Sequence, residues 1–150
     1  MEEIISLENI RVGADAANWE DSLRQAGKPL VDNGSIDAKY IDEMIEAVKR
    51  LGTYIVLMPG FALGHSEPSP SVKRNDISLI TLRSPVEFGS ANDPVRVVMC
   101  LACIDKNSHI EKLKSIAFKL MSKDIIEKMA ECKDEKELYN LINEDNLTYR

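Results

Sequence analysis

The chain is poor in several things that usually announce a function. It has only two histidines, His65 and His109, and three cysteines in 150 residues. An odd cysteine count argues against a disulfide framework. Cys100 and Cys103 sit in the apolar run "VRVVMCLACI", which reads as a buried strand, and a separation of three along a strand sends their thiols to opposite faces. They are expected as reduced core thiols rather than a zinc or redox pair. Basic residues are outnumbered, 19 against 25 acids, for a net charge of −6 and a pI near 5.0. That field repels phosphate backbones and anionic lipid, which removes nucleic acid and membrane surface from the expected partners. No apolar run approaches the roughly 20 residues of a membrane span, and "MEEIISLENI" carries acids where a secretory signal needs bases. The cytoplasm is the expected location. The sequence also lacks a G-x-x-x-x-G-K-[ST] loop, a G-x-G-x-x-G turn and an H-E-x-x-H pair, so neither a bound nucleotide nor a metal is expected.

What is present fits one globular domain spanning 1–150, with 44% hydrophobic and 29% charged residues. In "DAANWEDSLRQAG", Ala16, Trp19, Leu23 and Ala26 recur at helical spacing, and Gly27 with Pro29 reads as the stop. "SIDAKYIDEMIEAVKRLG" predicts a second amphipathic helix with Tyr40, Ile41, Met44, Ile45 and Val48 on its apolar face, a cap at Ser35 and a stop at Gly52. Strands follow at "TYIVLMPG", "DISLITL" and "VEF", the last two parted by Arg83, Ser84 and Pro85. After the turn signal "GSANDP", "VRVVMCLACI" is the most continuous apolar strand and the natural centre of a sheet. Helical periodicity resumes from Ser108, and "DIIEKMAEC" and "DEKELYNLINE" read as two short closing helices. Helices before and after a set of strands predict an α/β fold, a single-domain sandwich with a central mixed β-sheet flanked by helices. "EPSPS", 67–71, is too short for a linker and reads as a rigid surface loop.

Each histidine lies just past an apolar strand. If those strands run parallel, the two imidazoles leave one edge of the sheet, where α/β folds build ligand sites. "SHIE" matches a capping box, with Ser108 as cap and Glu111 at the third helical position, which puts His109 in a first helical turn. Free N–H groups and the helix dipole favour an anion there and disfavour an imidazolium. An exposed helix-start residue is the plain alternative for His109. For His65, Gly60 and Gly64 allow unusual backbone angles and close approach, and an unprotonated ring nitrogen is a nucleophile. An ordinary loop histidine is the alternative. "GHSEP" opens like a G-x-S-x-G elbow, but Pro68 replaces the second glycine, so a hydrolase using Ser66 with His65 ranks far behind.

The segments "YIVLMPGFALGH" and "FGSANDPVRVVMCLACIDKNSHIEKLKSIA" carry a resemblance over nearly the whole chain. They resemble the enzyme IIA component of the sugar phosphotransferase system, in its mannitol/fructose class and closest to the ascorbate-type branch. The resemblance implies a phosphotransferase with a phosphohistidine intermediate. His65 would accept a phosphoryl group from the phosphocarrier HPr and pass it to a cysteine of enzyme IIB, with membrane enzyme IIC involved indirectly. His109 would help hold the phosphate, and Gly64, Ser66 and Ser108 would line the phosphate pocket. No metal or nucleotide is needed for such a transfer. Phe61 is the expected partner-docking residue. Oligomeric state stays open, a homodimer included. The transported compound would be ascorbate or a related sugar acid or polyol, and a regulatory binding module controlled by phosphorylation is the rival class.

The chain departs from that pattern at two points. Where the branch reads proline-His-Ala-Arg, residues 64 to 67 are Gly64, His65, Ser66 and Glu67. Glu67 is therefore expected to face solvent or to be offset by Lys73, Arg74 or Arg83. The arginine that mannitol-type members place before the strand has only Lys49 and Arg50 as nearby candidates.

Overall fold

A computed structural model describes residues 3–107 and 110–144. At its centre, β5 (Val95–Ala102) alternates its side chains between two apolar layers. Val98, Cys100 and Ala102 face one layer, while Val97, Met99 and Leu101 face the other. Both faces of the strand are covered, which is why its sequence is apolar without a break. The full sheet has the order β1-β4-β5-β3-β2, completed by β1 (Ile10–Ala14), β2 (Val56–Met58), β3 (Phe61–Gly64) and β4 (Asp76–Val86). β1 is parallel to β4 and β3 to β5, while β4 with β5 and β2 with β3 are antiparallel. The mixed sheet and its flanking helices are the architecture the sequence predicts.

On one face lie α1 (Trp19–Asp32) and α2 (Ala38–Leu51), contributing Leu23, Leu30, Tyr40 and Met44 to the first layer. On the other face, α3 (Ile110–Leu120), α4 (Ile125–Ala130) and α5 (Glu135–Asn143) supply Ile116, Met129 and Leu138 to the second.

Several local expectations are corrected. α1 does not stop at Gly27 and Pro29 but runs through both to Asp32. Gly27 is there for packing: a Cβ would lie 2.7 Å from Ile41 Cγ1, so its absence lets α1 and α2 approach closely. The chain leaves α1 at Gly34, in the left-handed region at φ +83°, while the N–H of Ser35 bonds the carbonyl of Leu30. Ser35 does not cap α2, which starts after Asp37. Its buried hydroxyl instead donates to Asp76 Oδ2 at 2.6 Å. Gly52 does end α2, at φ +95°.

"TYIVLMPG" is only in part a strand. β2 is a three-residue edge, and the chain reverses at Pro59–Gly60 into β3, which is the buried strand. "DISLITL" and the valine of "VEF" belong to one 11-residue strand, β4, whose register with β5 shifts between Thr81 and Val86, around Pro85. Proline is tolerated in a strand where the ladder is already interrupted. β1 is an addition, since "IRVGA" is too polar and too short to announce a strand. The 67–71 loop is tied to α2, with Ser69 and Ser71 hydroxyls donating to the two oxygens of Glu43 at 2.7 and 3.0 Å.

Candidate functional site

Parallel pairing of β3 with β5 brings the segments that follow them to one edge of the sheet. β3 ends at Gly64, which is buried, not open to an approaching partner. A Cβ there would lie 2.9 Å from Leu23 Cδ2 and 3.5 Å from Met44 Sδ. Gly64 therefore serves the packing of β3 on the helices, and the phosphate-pocket expectation for it is corrected. The glycine whose backbone requires freedom is Gly60, at φ +82° in the reversal before β3.

His65 follows half-buried, and its ring is held. Nδ1 lies 2.8 Å from the carbonyl oxygen of Leu63. A carbonyl only accepts, so Nδ1 carries the hydrogen, and in the neutral ring Nε2 is left with its lone pair. The Tyr54 ring stands edge-on to the imidazole, 5.3 Å between centroids at 90°, and its hydroxyl donates to the His65 carbonyl at 3.3 Å. One residue on, the N–H of Ser66 donates to the hydroxyl oxygen of Tyr40 at 3.0 Å. Lone pair, ring plane and flanking backbone are thus all constrained.

His65 opens on a hollow of about 270 Å³, whose lining includes Arg50, Leu51, Tyr54, Ser66, Glu67 and Lys106. A smaller adjoining hollow adds Tyr40, Cys103, Asp105 and Leu113. Arg50 comes from the last turn of α2 and Lys106 from the segment after β5, so two cations from distant parts of the chain face one histidine. Among the described residues, no carboxylate forms an ion pair with either of them. Glu67 is exposed at the rim, as one of the two expectations had it. The offset expected from Lys73, Arg74 or Arg83 is not found. Lys73 pairs with Asp37 at 3.3 Å, Arg83 with Asp15 at 3.2 Å, and Arg74 bonds the Ser35 hydroxyl at 2.8 Å.

Ser66 lines the hollow, but no helix follows it: the chain continues irregularly to β4, so the strand–turn–helix frame of a hydrolase elbow is missing. Phe61 is fully buried in the second apolar layer, which corrects its expected docking role, because the alternation of β3 turns the ring inward. Cys100 and Cys103 do lie against opposite layers, and among the described residues no three His, Cys, Asp or Glu side chains cluster as metal ligands. Ser108 and His109, and with them the capping box, lie outside the described residues. Among those residues, no helix is long and apolar enough to cross a membrane.

Tyr40 and Lys106 were not marked by the sequence as site residues. Tyr40 reads there as one more apolar position of α2, and nothing local shows that its hydroxyl reaches the sheet edge. Lys106 is one basic residue in "CIDKNS", drawn to the site by the parallel strand that precedes it.

A nucleophilic ring nitrogen at a sheet edge, faced by two cations, is a layout suited to carrying a phosphoryl group. Residues 3–145 match the family described as "Phosphoenolpyruvate-dependent sugar phosphotransferase system, EIIA 2", and the chain belongs to that family. It is 31% identical over 140 residues to the ascorbate-specific PTS system EIIA component of Shigella boydii, covering 92% of this chain and 91% of that protein. The crystal structure of IIA mannitol from Escherichia coli is similar at a TM-score of 0.78 and 28% identity, covering 92% of this chain and 98% of that one. The IIA mannitol enzyme in complex with phosphorylated IIB mannitol, also from Escherichia coli, matches at a TM-score of 0.78 and 26% identity, covering 92% and 96%. The chain is accordingly a phosphotransferase-system component of sugar transport.

Proposed function

We propose that His65 is the phosphoryl carrier: it takes the group from phosphorylated HPr and delivers it to a cysteine of a cognate enzyme IIB, in the cytoplasm, during uptake of ascorbate or a related compound. The observation that carries the reading is the 2.8 Å hydrogen bond from His65 Nδ1 to the Leu63 carbonyl, which leaves Nε2 as the attacking atom. Nε2 bonds to phosphorus as the N–P bond of the donor phosphohistidine breaks, and the donor ring keeps that electron pair. Nδ1–H stays on Leu63 and shares the positive charge the ring acquires. Arg50 and Lys106 line the same hollow and would meet the phosphoryl oxygens, so most of the work is positioning and charge compensation. In the return step a thiolate of enzyme IIB attacks phosphorus, and the electron pair of the N–P bond returns to Nε2.

His109 and Ser108 enter the reading as a second phosphate contact and its helix cap. The parallel pairing of β3 and β5 supports this, because it directs the segments after both strands to one edge. The similarity to an ascorbate-specific component supports the substrate class, and the similarity to a IIA–IIB complex supports the acceptor.

Incubation with phosphoenolpyruvate, enzyme I and HPr should add one acid-labile phosphate per chain, and His65→Gln should add none. Equal labelling of the variant would move the carrier role away from His65.

A further inference from the structure

The backbone around His65 is bridged to the neighbouring strand by one buried atom, the phenol oxygen of Tyr40. Tyr40 is 1% exposed, the third residue of α2, and its ring is packed in the first apolar layer. Its oxygen accepts the N–H of Ser66 at 3.0 Å. Its single hydrogen has two carbonyl acceptors in range, Leu101 at 3.0 Å and Ser66 at 3.3 Å. With the hydrogen given to Leu101, the phenol joins the Ser66 N–H, directly after His65, to the end of β5. The phenol also borders the small hollow beside the imidazole. Burial, helped by the nearby Cys100 thiol, raises the Tyr40 pKa well above the ordinary phenol value, so the hydroxyl remains a combined donor and acceptor across physiological pH.

We infer that Tyr40 is a positioning residue for phosphoryl transfer: its hydroxyl pins the Ser66 amide to the end of β5 and so holds the His65 backbone where Nδ1 can stay on the Leu63 carbonyl and Nε2 can face the hollow. The tautomer of His65 is a local matter, one ring bonded to a carbonyl two residues back. Keeping that carbonyl and that ring in register requires a restraint on the following residue as well, because the 65–75 segment has no ladder partner of its own until Val72. Phenylalanine at position 40 would keep the ring's packing and remove only the bridge. It would leave a partly buried Ser66 N–H without its acceptor, and the loop would shift to find one.

The inference rests on the phosphohistidine reading, and the experiment separates the two. Full-length Tyr40→Phe is compared with the native chain by three measurements: initial rate of phosphoryl transfer from phosphorylated HPr, imidazole 15N shifts of His65, and hydrogen exchange of the Ser66 amide. Expected are a rate lower on the order of tenfold, carried by kcat rather than KM, a 15N spectrum moved from a single Nδ1–H tautomer toward a mixture, and fast exchange at Ser66. A variant with unchanged rate and unchanged tautomer overturns the inference. So does a native Ser66 amide that exchanges as fast as an unprotected one, a measurement that needs no variant to fold. If the native chain takes no phosphate, the carrier reading falls, while the tautomer and exchange results still decide whether Tyr40 positions His65.

Discussion

β3 has a cavity at each end, and the two differ in an instructive way. The cleft at its start is the larger, about 570 Å³ against 270 Å³, and is lined by Met58, Gly60, Asn92, Arg96, Ile125 and Glu127 among others. It has one cation and three acids, Asp93, Asp124 and Glu127. The Asp93 carboxylate is occupied by the N–H groups of Phe88, Gly89 and Ser90. The hollow at the end of the strand is half that size but has a nucleophilic nitrogen with a defined tautomer, and two cations, Arg50 and Lys106, against the rim carboxylate of Glu67. On the proposed carrier reading, volume is a poor guide to where the phosphoryl group is handled. A group arriving on a partner protein needs little enclosure, whereas it does need a directed lone pair and positive charge.

The sharpest way to break this comparison is to remove the charge at the small hollow. Arg50→Ala is expected to slow transfer from phosphorylated HPr by about a hundredfold to a thousandfold, the scale of losing one charge-stabilising donor. Labelling that stays at the native rate would leave Lys106 as the working cation. A second variant tests the packing under the hollow. Gly64→Ala places a methyl 2.9 Å from Leu23 Cδ2 and is expected to cost about 1–3 kcal/mol in urea unfolding. A midpoint unchanged from the native chain would show that Leu23 yields freely.

The same layer sets an alkaline limit. Burial, with a contribution from Asp76, pushes the Cys100 thiol from its ordinary 9.0 up to about 12, and burial likewise raises Tyr40. The unfolded chain loses these protons at lower pH than the native one, so the native state binds more protons and stability falls as pH rises from about 9 to about 12. Chemical unfolding as a function of pH should show that decline, with a shallower slope in Cys100→Ala. The smallest effect is expected at the other end of β3. Arg96→Ala, in the large cleft, should leave the transfer rate within about twofold, since it lies away from the hollow proposed to handle the phosphoryl group. A larger loss would tie the two ends of the strand together.

Legibility in the sequence followed how local each feature is. The unbroken apolar run of β5 announced a strand covered on both sides, because burial on two faces demands apolar residues at every position. The stripe of α2 and its glycine stop were equally plain. Gly27 and Pro29 misled because a small residue and a ring that lacks an N–H carry the same local meaning at a helix end and in a helix that packs closely on a neighbour. Phe61 misled for a related reason: its nearness to His65 in the chain says nothing about which face of β3 it joins.

By itself the sequence determined the α/β layering and the absence of long apolar spans, which follow from composition and periodicity, while His65 stood out as the candidate carrier only through the family resemblance of the motif around it. Only the tertiary structure decided which nitrogen of that histidine keeps its lone pair, that Arg50 and Lys106 line its hollow while Lys73, Arg74 and Arg83 are engaged elsewhere, and that Tyr40 reaches from α2 to the end of β5. Those are distances between residues up to 61 positions apart. They are set by the parallel pairing of β3 with β5 and by α2 packing across that edge, a relation that no stretch of neighbouring residues encodes.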